Sequence, residues 1–202
     1  MIARGAVKPI SISAVPAIIT LIIGVFLWTP SYYIAVLFIL LLIAVFIFFR
    51  DPDRKVGRGV VSPADGKVIL VNNDGNRIDV FMNITDVHVN RSPYSGEVKN
   101  TKRVNGKFKP AFSDKSENNF RYEILLQTNY GPIKIYQITG FLARRIVPYI
   151  NKGDELQKGD KIGLIRFGSR VRLDLPENVN IIAEDGDKVR AGESTIGVWD
   201  ED

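Results

Sequence analysis

The stretch from Pro9 to Phe49 contains no charged side chain, and it constrains the fold more than any other feature of the chain. At about 1.5 Å per helical residue, it is long enough for roughly two crossings of a 30 Å hydrocarbon layer. Its middle, residues 28–33, combines a helix-ending proline with aromatic side chains that favour the membrane-water boundary. We therefore predict a two-helix transmembrane hairpin, with helices at about residues 9–28 and 32–49 and Pro16 tolerated as a kink.

Both flanks of this hairpin are positively charged. Residues 1–60 hold six Lys or Arg and two Asp or Glu, a difference of +4 out of the net charge of +5. The turn between the helices is uncharged, so the positive-inside rule predicts a cell-membrane protein with both ends of the hairpin facing the cytoplasm. Basic flanks also predict contact with anionic lipid headgroups. The remaining chain is nearly balanced and shows no basic stripe, which argues against a nucleic-acid partner.

After the hairpin the composition changes to short apolar stretches broken by Gly, Asn, Asp and Pro, which is typical of a β-rich domain. We predict a membrane-anchoring hairpin at residues 1–50 and a β-rich domain at residues 51–202. Residues 141–149 are expected to form a short helix or an irregular crossing, and residues 107–119 a loop. The predicted strands are Gly66–Val71, Arg77–Met82, Gly96–Val104, Arg121–Thr128, Ile133–Thr139, Lys161–Phe167, Arg170–Leu175 and Thr195–Trp199, with another beginning within Val87–Asn90.

One pattern occurs twice in this domain. Residues 153–163 and 186–197 each contain Gly-Asp, an aliphatic residue, a second glycine and then Ile-Gly. Glycine tolerates positive φ in turns, and the aliphatic residues can enter a core. Similar spacing occurs in the half-barrels of biotinyl and lipoyl domains, so we predict a mainly β fold, a compact barrel or sandwich with such features. Two unrelated Gly-Asp turns would give the same pattern.

The residue types limit the chemistry available to the chain. The absence of cysteine excludes disulfides, thiolate catalysis and Cys-based zinc sites, and a single histidine excludes a multi-His metal site within one chain. An acid-base step near neutral pH would therefore fall to His88. Nearby Arg91 offers a guanidinium suited to phosphate or carboxylate, although a surface salt bridge would explain it as well.

Three further features could carry chemistry or could be structural. Asp65, in a Pro-Ala-Asp-Gly turn, could orient a histidine or simply lead into a strand. Arg144 and Arg145 could bind a lipid phosphate or form a solvated charge pair. Gly168 precedes the hydroxyl nucleophile Ser169, but an isolated Gly-Ser is usually a turn dipeptide.

A series of short motifs places these features in a recognisable order. They are Phe-Phe-Arg-Asp-Pro (48–52), Val-Ser-Pro-Ala-Asp-Gly (61–66), His-Val-Asn-Arg (88–91), Ala-Phe-Ser-Asp-Lys-Ser (111–116), Gln-Ile-Thr-Gly (137–140), Ala-Arg-Arg-Ile (143–146) and Phe-Gly-Ser-Arg (167–170). This order resembles the short form of the phosphatidylserine decarboxylase family, whose archaeal members are called archaetidylserine decarboxylases. The likeness runs from about residue 48 to the C-terminus, and the hairpin fits it.

The resemblance implies a proenzyme that cuts itself between Gly168 and Ser169. Ser169 Oγ would attack the Gly168 carbonyl, and the resulting ester would eliminate the upstream chain as a carboxylate. The dehydroalanine left at residue 169 would hydrolyse to ammonia and a covalent pyruvoyl group. Chains 1–168 and 169–202 would remain together as a heterodimer. Asp65 and His88 match the acid and histidine motifs of the family.

The same resemblance implies the substrate and the cofactor. The pyruvoyl group would form a Schiff base with the serine amine of a serine phospholipid and act as an electron sink, so that carbon dioxide leaves and the ethanolamine lipid is released. His88 is the expected proton donor, and Arg91, Arg144 and Arg145 are candidates for the substrate phosphate. The substrate could be a fatty-acyl or an isoprenoid-ether lipid, and both alternatives stay open. Assembly into a homo-oligomer also stays open.

The chain departs from the long form of the family at two places. Arg91 stands where the long form has a second histidine, so either His88 serves both self-cleavage and decarboxylation or another group performs one of them. Phe-Gly-Ser-Arg also replaces Leu-Gly-Ser-Thr. An alternative from another class is a non-catalytic, membrane-anchored carrier or adaptor on a biotinyl-like barrel, which would have no use for a break before Ser169.

Overall fold

The computed structural model describes residues 1–26, 30–72, 74, 76–107, 109, 118–140, 145–166 and 169–200. These residues form two compact units, Met1–Pro52 and Asp53–Asp202. The first unit contains helices α1 (Val7–Phe26) and α2 (Ser31–Phe48), close to the predicted bounds. Both helices are long and apolar enough to cross a membrane, which is consistent with membrane association. The centre of the predicted turn, residues 27–29, lies outside the described residues.

The two helices pack through small side chains and expose large apolar ones. Ala17 and Ala35 are buried, and a Cβ at Gly24 would lie only 2.8 Å from Ser31 Oγ, so small residues are what allow the close approach. α1 continues through Pro16, whose carbonyl accepts a 2.7 Å hydrogen bond from the Thr20 hydroxyl. Most of the large aliphatic side chains of both helices point outward, as a lipid-facing hairpin requires.

The second unit is mainly β, as predicted, and its strands are short and antiparallel. They are β1 (Val60–Val61), β2 (Gly66–Asn72), β3 (Arg77–Met82), β4 (Val89–Arg91), β5 (Gly96–Val104), β6 (Arg121–Thr128), β7 (Gly131–Thr139), β8 (Ile146–Pro148), β9 (Glu155–Leu156), β10 (Lys161–Ile165), β11 (Ser169–Asp174), β12 (Val179–Ile181), β13 (Lys188–Val189) and β14 (Thr195–Trp199).

Eight of these strands form one curled half-barrel sheet, the main sheet, in the order β13-β2-β3-β11-β7-β6-β5-β9. Two three-stranded sheets, β1-β14-β12 and β4-β10-β8, complete the unit. Alternate side chains of the central strands, including Val80, Ile135 and Val171, are fully buried in one core. Burying each such side chain stabilises the fold by about 1.5–3 kcal/mol. Strand β11 lies in the middle of the main sheet, between β3 and β7.

Some strand predictions match the structure and others need correction. The bounds of β3, β5, β6 and β14 are those predicted. The segment predicted as a helix or irregular crossing contains strand β8, because Ile146–Pro148 pairs with β10; residues 141–144 lie outside the described part. Within the predicted loop, Lys107 forms a bridge with Asn119, and residues 108 and 110–117 lie outside the described part.

The doubled Gly-Asp pattern has one layout in both copies. Each begins with a glycine at positive φ (Gly153, 93°; Gly186, 102°), followed by the two-residue strand β9 or β13. A second glycine at positive φ follows (Gly159, 88°; Gly192, 76°), and then β10 or β14. A residue with a Cβ would be strained at these four positions, which explains why each of them is a glycine.

Candidate active site

Ser169 is the first residue of β11 and lies at one end of the central strands of the main sheet. Its neighbours across the sheet are Met82 of β3 and Thr139 of β7. The Ser169 side chain is fully buried, and its Oγ lies 3.9 Å from the Met82 sulfur. The hydroxyl is therefore screened from water and held by strands on both sides. Phe167 and Gly168, which complete the predicted cleavage site, lie outside the described residues.

His88 is fully buried just before β4. The turn that precedes it is fixed by Asp86, whose carboxylate accepts a 2.7 Å hydrogen bond from the Asn83 amide. The Asp86 carbonyl lies 2.9 Å from His88 Nδ1. A carbonyl only accepts hydrogen bonds, so Nδ1 carries a proton and Nε2 is the basic nitrogen of the neutral ring. The His88 carbonyl accepts a 3.3 Å bond from the Ile165 amide, which ties His88 to the strand leading towards Ser169.

A buried polar chain connects the strands around Ser169. Asn90 Nδ2 lies 3.4 Å from the Met82 sulfur, the atom that Ser169 Oγ also contacts. Gln137 Nε2 donates a 2.7 Å hydrogen bond to Asn90 Oδ1. A Cβ at Gly163 would lie 2.9 Å from Gln137 Nε2, so a larger residue there would displace this amide from its present position. These contacts link β3, β4 and β7 to the start of β11 and fix the surroundings of the Ser169 hydroxyl.

Asp65 contacts Arg54 and not His88. Its Oδ2 accepts a 2.7 Å bond from Arg54 Nη2, and its Oδ1 accepts a 2.8 Å bond from the Ala191 amide. The same guanidinium binds Glu193 Oε2 at 3.2 Å. Burial disfavours the charged form of Glu193, but Arg54, together with the Lys55 amide and Arg190, outweighs this effect and lowers the pKa of Glu193 below its ordinary value. The Asp86 carbonyl, rather than Asp65, holds the His88 ring, and a part for Asp65 in self-cleavage stays a prediction.

The Arg54→Met variant is expected to unfold more easily, because it leaves two carboxylates without their shared cation. Side chains of Arg54 and Asp65 are 8% and 13% exposed, so the loss should be on the order of 3 kcal/mol. The lowered pKa of Glu193 means that its ionised form stabilises the folded protein. This stabilisation is complete above the ordinary glutamate pKa and is lost as pH falls through the pKa that Glu193 has in the folded protein. Thermal unfolding in detergent from pH 7 to pH 3 measures both effects.

Arg58→Met is the matched control, because Arg58 is exposed and its removal should leave the unfolding temperature nearly unchanged. Equal unfolding temperatures for the Arg54→Met variant and the wild-type protein at pH 7 would contradict the structural role given to Arg54.

Arg91 is buried and contacts both copies of the Gly-Asp pattern. Its Nη1 donates a 3.0 Å hydrogen bond to the Gly159 carbonyl, and its amide donates a 2.9 Å bond to the Pro63 carbonyl. Its Cδ lies 3.0 Å from the position that a Cβ on Gly192 would occupy. The guanidinium thus contacts the second turn of one copy while its stem packs against the second turn of the other. These contacts give Arg91 a structural part beside the substrate role predicted for it.

The predicted phosphate-binding pair is described only at Arg145, because Arg144 lies outside the described residues. Arg145 is exposed, and its carbonyl accepts a 3.1 Å bond from the Arg166 amide. Burial, and next the charge of Arg145, lower the pKa of Arg166 from its ordinary value. The two guanidiniums are therefore close enough to repel each other, next to the segment that leads to Ser169.

A cleft of about 630 Å³ borders the turn before His88. Its lining includes the acids Asp65 and Asp86, Phe81, and three cations, Lys67, Lys188 and Arg190. Lys67 and Lys188 are direct neighbours across β2 and β13. A cleft that carries both positive and negative side chains suits a zwitterionic group. Among the described residues, no cluster of three or more His, Asp or Glu side chains could hold a metal ion.

Sequence reasoning missed Asn90, Gln137 and Met82 as parts of the site. One signal was available, because Gln137 occupies an inward position of β7, in line with Ile133 and Ile135. A polar side chain on the core face of a strand needs a partner, and here that partner is Asn90. Arg54 gave no comparable signal, since it stands among several exposed charged residues before β1.

Comparisons with known proteins agree with this arrangement. The family model described as phosphatidylserine decarboxylase matches residues 41–197. A relative from Archaeoglobus fulgidus, named archaetidylserine decarboxylase proenzyme, is 47% identical over 154 residues, 76% of this chain and 77% of the relative. One from Methanococcoides burtonii with the same name is 43% identical over 196 residues, 92% of this chain and 93% of the relative.

A bacterial relative gives the same result. The protein from Streptomyces avermitilis named phosphatidylserine decarboxylase proenzyme is 49% identical over 153 residues, 74% of this chain and 71% of the relative. The matched span of the family model contains His88 and Ser169 as well as every strand of the main sheet. The chain belongs to the phosphatidylserine decarboxylase family.

Proposed function

We propose that this protein cuts itself before Ser169 and then decarboxylates a serine phospholipid to the ethanolamine phospholipid. The observation that carries the proposal is the position of Ser169, a fully buried hydroxyl at the first residue of the central strand, in a chain of this family. A buried hydroxyl that contacts a methionine sulfur contributes little to stability, so its position calls for a chemical role.

Self-cleavage uses the chain's own residues. Ser169 Oγ attacks the carbonyl of Gly168, the new C–O bond replaces the C–N bond, and residue 168 becomes an ester of the serine. Removal of the Ser169 α-proton then breaks the Cβ–O bond and releases residue 168 as a carboxylate. The dehydroalanine at residue 169 takes up water and loses ammonia, which leaves a pyruvoyl group. His88, with Nε2 as its basic nitrogen, is our candidate for activating the hydroxyl.

The pyruvoyl group fits the site, because it is formed from Ser169 itself and occupies the volume that this buried side chain already fills. When formed, the group supplies an electron sink for loss of carbon dioxide. The surrounding residues exclude water. The polar contacts among Met82, Asn90 and Gln137 keep the neighbouring strands in place. His88 is the candidate for returning a proton after carbon dioxide leaves.

The lipid headgroup needs a site for its phosphate as well as for its serine. Of the arginines predicted for this purpose, Arg145 is the better candidate, because it is exposed and lies beside the cation Arg166. Arg91 is buried against Gly159, and Arg144 stays a candidate from the sequence alone. The cleft lined by Asp65, Asp86 and three cations is our candidate for receiving the zwitterionic serine.

The helices and the repeated turns support two further parts of the proposal. The apolar hairpin would anchor the protein in the cell membrane, and its positive flanks favour a cytoplasmic catalytic unit. The paired glycine turns support a half-barrel related to biotinyl and lipoyl domains. After cleavage, residues 1–168 and 169–202 would stay together, because β11 pairs with β3 and β7 of the large chain.

A lipid assay tests the proposal. The purified full chain in detergent micelles receives carboxyl-labelled phosphatidylserine or the isoprenoid-ether serine lipid, and released carbon dioxide is counted. We expect release from at least one lipid by the wild-type protein and none by the Ser169→Ala variant. A cleaved wild-type protein that released no carbon dioxide from either lipid would contradict the decarboxylase function, and the ratio of the two rates identifies the preferred lipid class.

A further inference from the structure

Asp79 of β3 is a fully buried carboxylate that the proposed reaction does not use. Arg77 binds it with two hydrogen bonds, Nη2 to Oδ2 at 2.9 Å and Nε to Oδ1 at 3.1 Å. Arg170 Nη1 lies 3.2 Å from Oδ2, and Arg172 Nε lies 3.3 Å from Oδ1. A buried charge is costly unless it is paired, and three guanidiniums on one carboxylate form an unusually complete set of partners.

Two of these arginines come from the strand that begins with Ser169. Arg172 lies directly opposite Asp79 in the pairing of β11 with β3, and Arg170 lies opposite Phe81. Side chains alternate along a strand, so Arg170 and Arg172 are the first two side chains of β11 on the face opposite to Ser169. Arg170 is also the second residue after the predicted scissile bond, next to Ser169 itself, and its side chain is only 4% exposed.

Self-cleavage would remove the covalent bond that holds the first residue of β11 to the preceding chain. Before cleavage, the peptide bond to Gly168 holds Ser169 from the upstream side. After cleavage, residue 169 is a chain end, and chain ends fray unless other contacts hold them. The backbone pairing with β3 and β7 persists, but the first side chain that can anchor the new end is Arg170.

We propose that Asp79 and Arg170 form a clamp that keeps residue 169 in register at the head of β11 once the chain is cut. The proposal rests on the proposed function. Both are positioning residues, because they act through the backbone of residue 169 and not on the substrate. A charge-assisted contact in a buried site is strong and directional, which suits this task. The clamp gives a reason for the arginine in Phe-Gly-Ser-Arg, which the reaction itself leaves unexplained.

The test compares cleaved and uncleaved forms of the Arg170→Met variant, which keeps much of the stem and removes the charge. Because the intact chain still tethers Ser169, self-cleavage should stay close to the wild-type rate. In the cleaved protein, kcat should fall roughly 10- to 100-fold, as expected for a misplaced reacting group, with KM nearly unchanged. Hydrogen exchange of the β11 amides should rise in the cleaved form and not when Ser169→Ala is added to block cleavage.

Arg170→Lys should recover most of kcat, because the contact between Nη1 and Asp79 Oδ2 needs one donor and one positive charge. Arg121→Met is the matched control, since it removes a half-exposed arginine paired with Glu123 in the same sheet. Unchanged kcat in Arg170→Met, or equal exchange in the cleaved and uncleaved forms, would overturn the clamp. Failure of Arg170→Met to cleave while Arg170→Lys cleaves would also overturn it, because the pair would then act before the cut. Failure of the wild-type chain to cleave would refute the proposed function instead.

Discussion

The Ser169→Ala variant is expected to remain one chain of 22.6 kDa and to lose decarboxylation by roughly 10⁴-fold or more. The reason is that this residue would act twice, first as the nucleophile of self-cleavage and then as the source of the pyruvoyl group. Alanine fits the buried site without strain, since it only removes the Oγ that contacts the Met82 sulfur. A denaturing gel measures the cleavage, and carbon dioxide release from labelled lipid measures the activity.

Ser92→Ala is the matched control for this variant. Ser92 is also fully buried, and its hydroxyl donates a 2.7 Å hydrogen bond to the Tyr94 carbonyl. Its loss should cost about 1 kcal/mol of stability and leave cleavage complete. If Ser169→Ala still splits between residues 168 and 169, the serine is not the nucleophile and the proposed mechanism is wrong.

The second large effect is expected at His88, the only imidazole of the chain. The His88→Asn variant can keep a donor near the position of Nδ1, which faces the Asp86 carbonyl, but it removes the basic Nε2. We therefore expect the fold to persist while the proton-transfer steps slow by roughly 10²- to 10⁴-fold. Cleavage is followed as the fraction of split chain against time, and decarboxylation is measured on whatever split chain accumulates.

Separate measurement of the two steps decides whether one histidine serves both. Slow cleavage together with slow decarboxylation per split chain is the expected result. Normal cleavage with slow decarboxylation would restrict His88 to the second step and assign the first to another group. Wild-type rates for both steps would remove His88 from the mechanism.

Sequence patterns predict the longer strands of this fold well, because alternation of apolar and polar residues is itself the physical cause of a half-buried strand. Strand β6, whose side chains alternate between more and less buried positions, shows this. The strands β1, β9 and β13 have only two residues each, too few for any alternation. They exist because backbone groups on neighbouring turns meet in three dimensions, which local sequence does not encode. Strand β8 was missed for the same reason, since its pairing with β10 defines it.

The candidate site is predictable to a similar degree. Ser169 and His88 stand out in the sequence because of their motifs and because the chain has no other histidine and no cysteine. The partners of Asp65 do not stand out, because its contact with Ala191 spans 126 positions along the chain. The ion pairs of Asp79 are similarly hidden, since Arg170 and Arg172 come from a strand far away in sequence. Pairwise contacts of this kind follow from sheet register, which only the folded structure specifies.

Intact mass analysis of the purified wild-type protein is the most direct test of self-cleavage before Ser169. We predict two chains, one ending at Gly168 with an ordinary carboxylate and one beginning at residue 169 with a pyruvoyl group in place of the serine. The smaller chain should resist N-terminal sequencing and should gain mass on reaction with a carbonyl reagent. A single unbroken chain of 22.6 kDa, produced under native expression, would show that the protein does not cut itself and would refute the proposed mechanism.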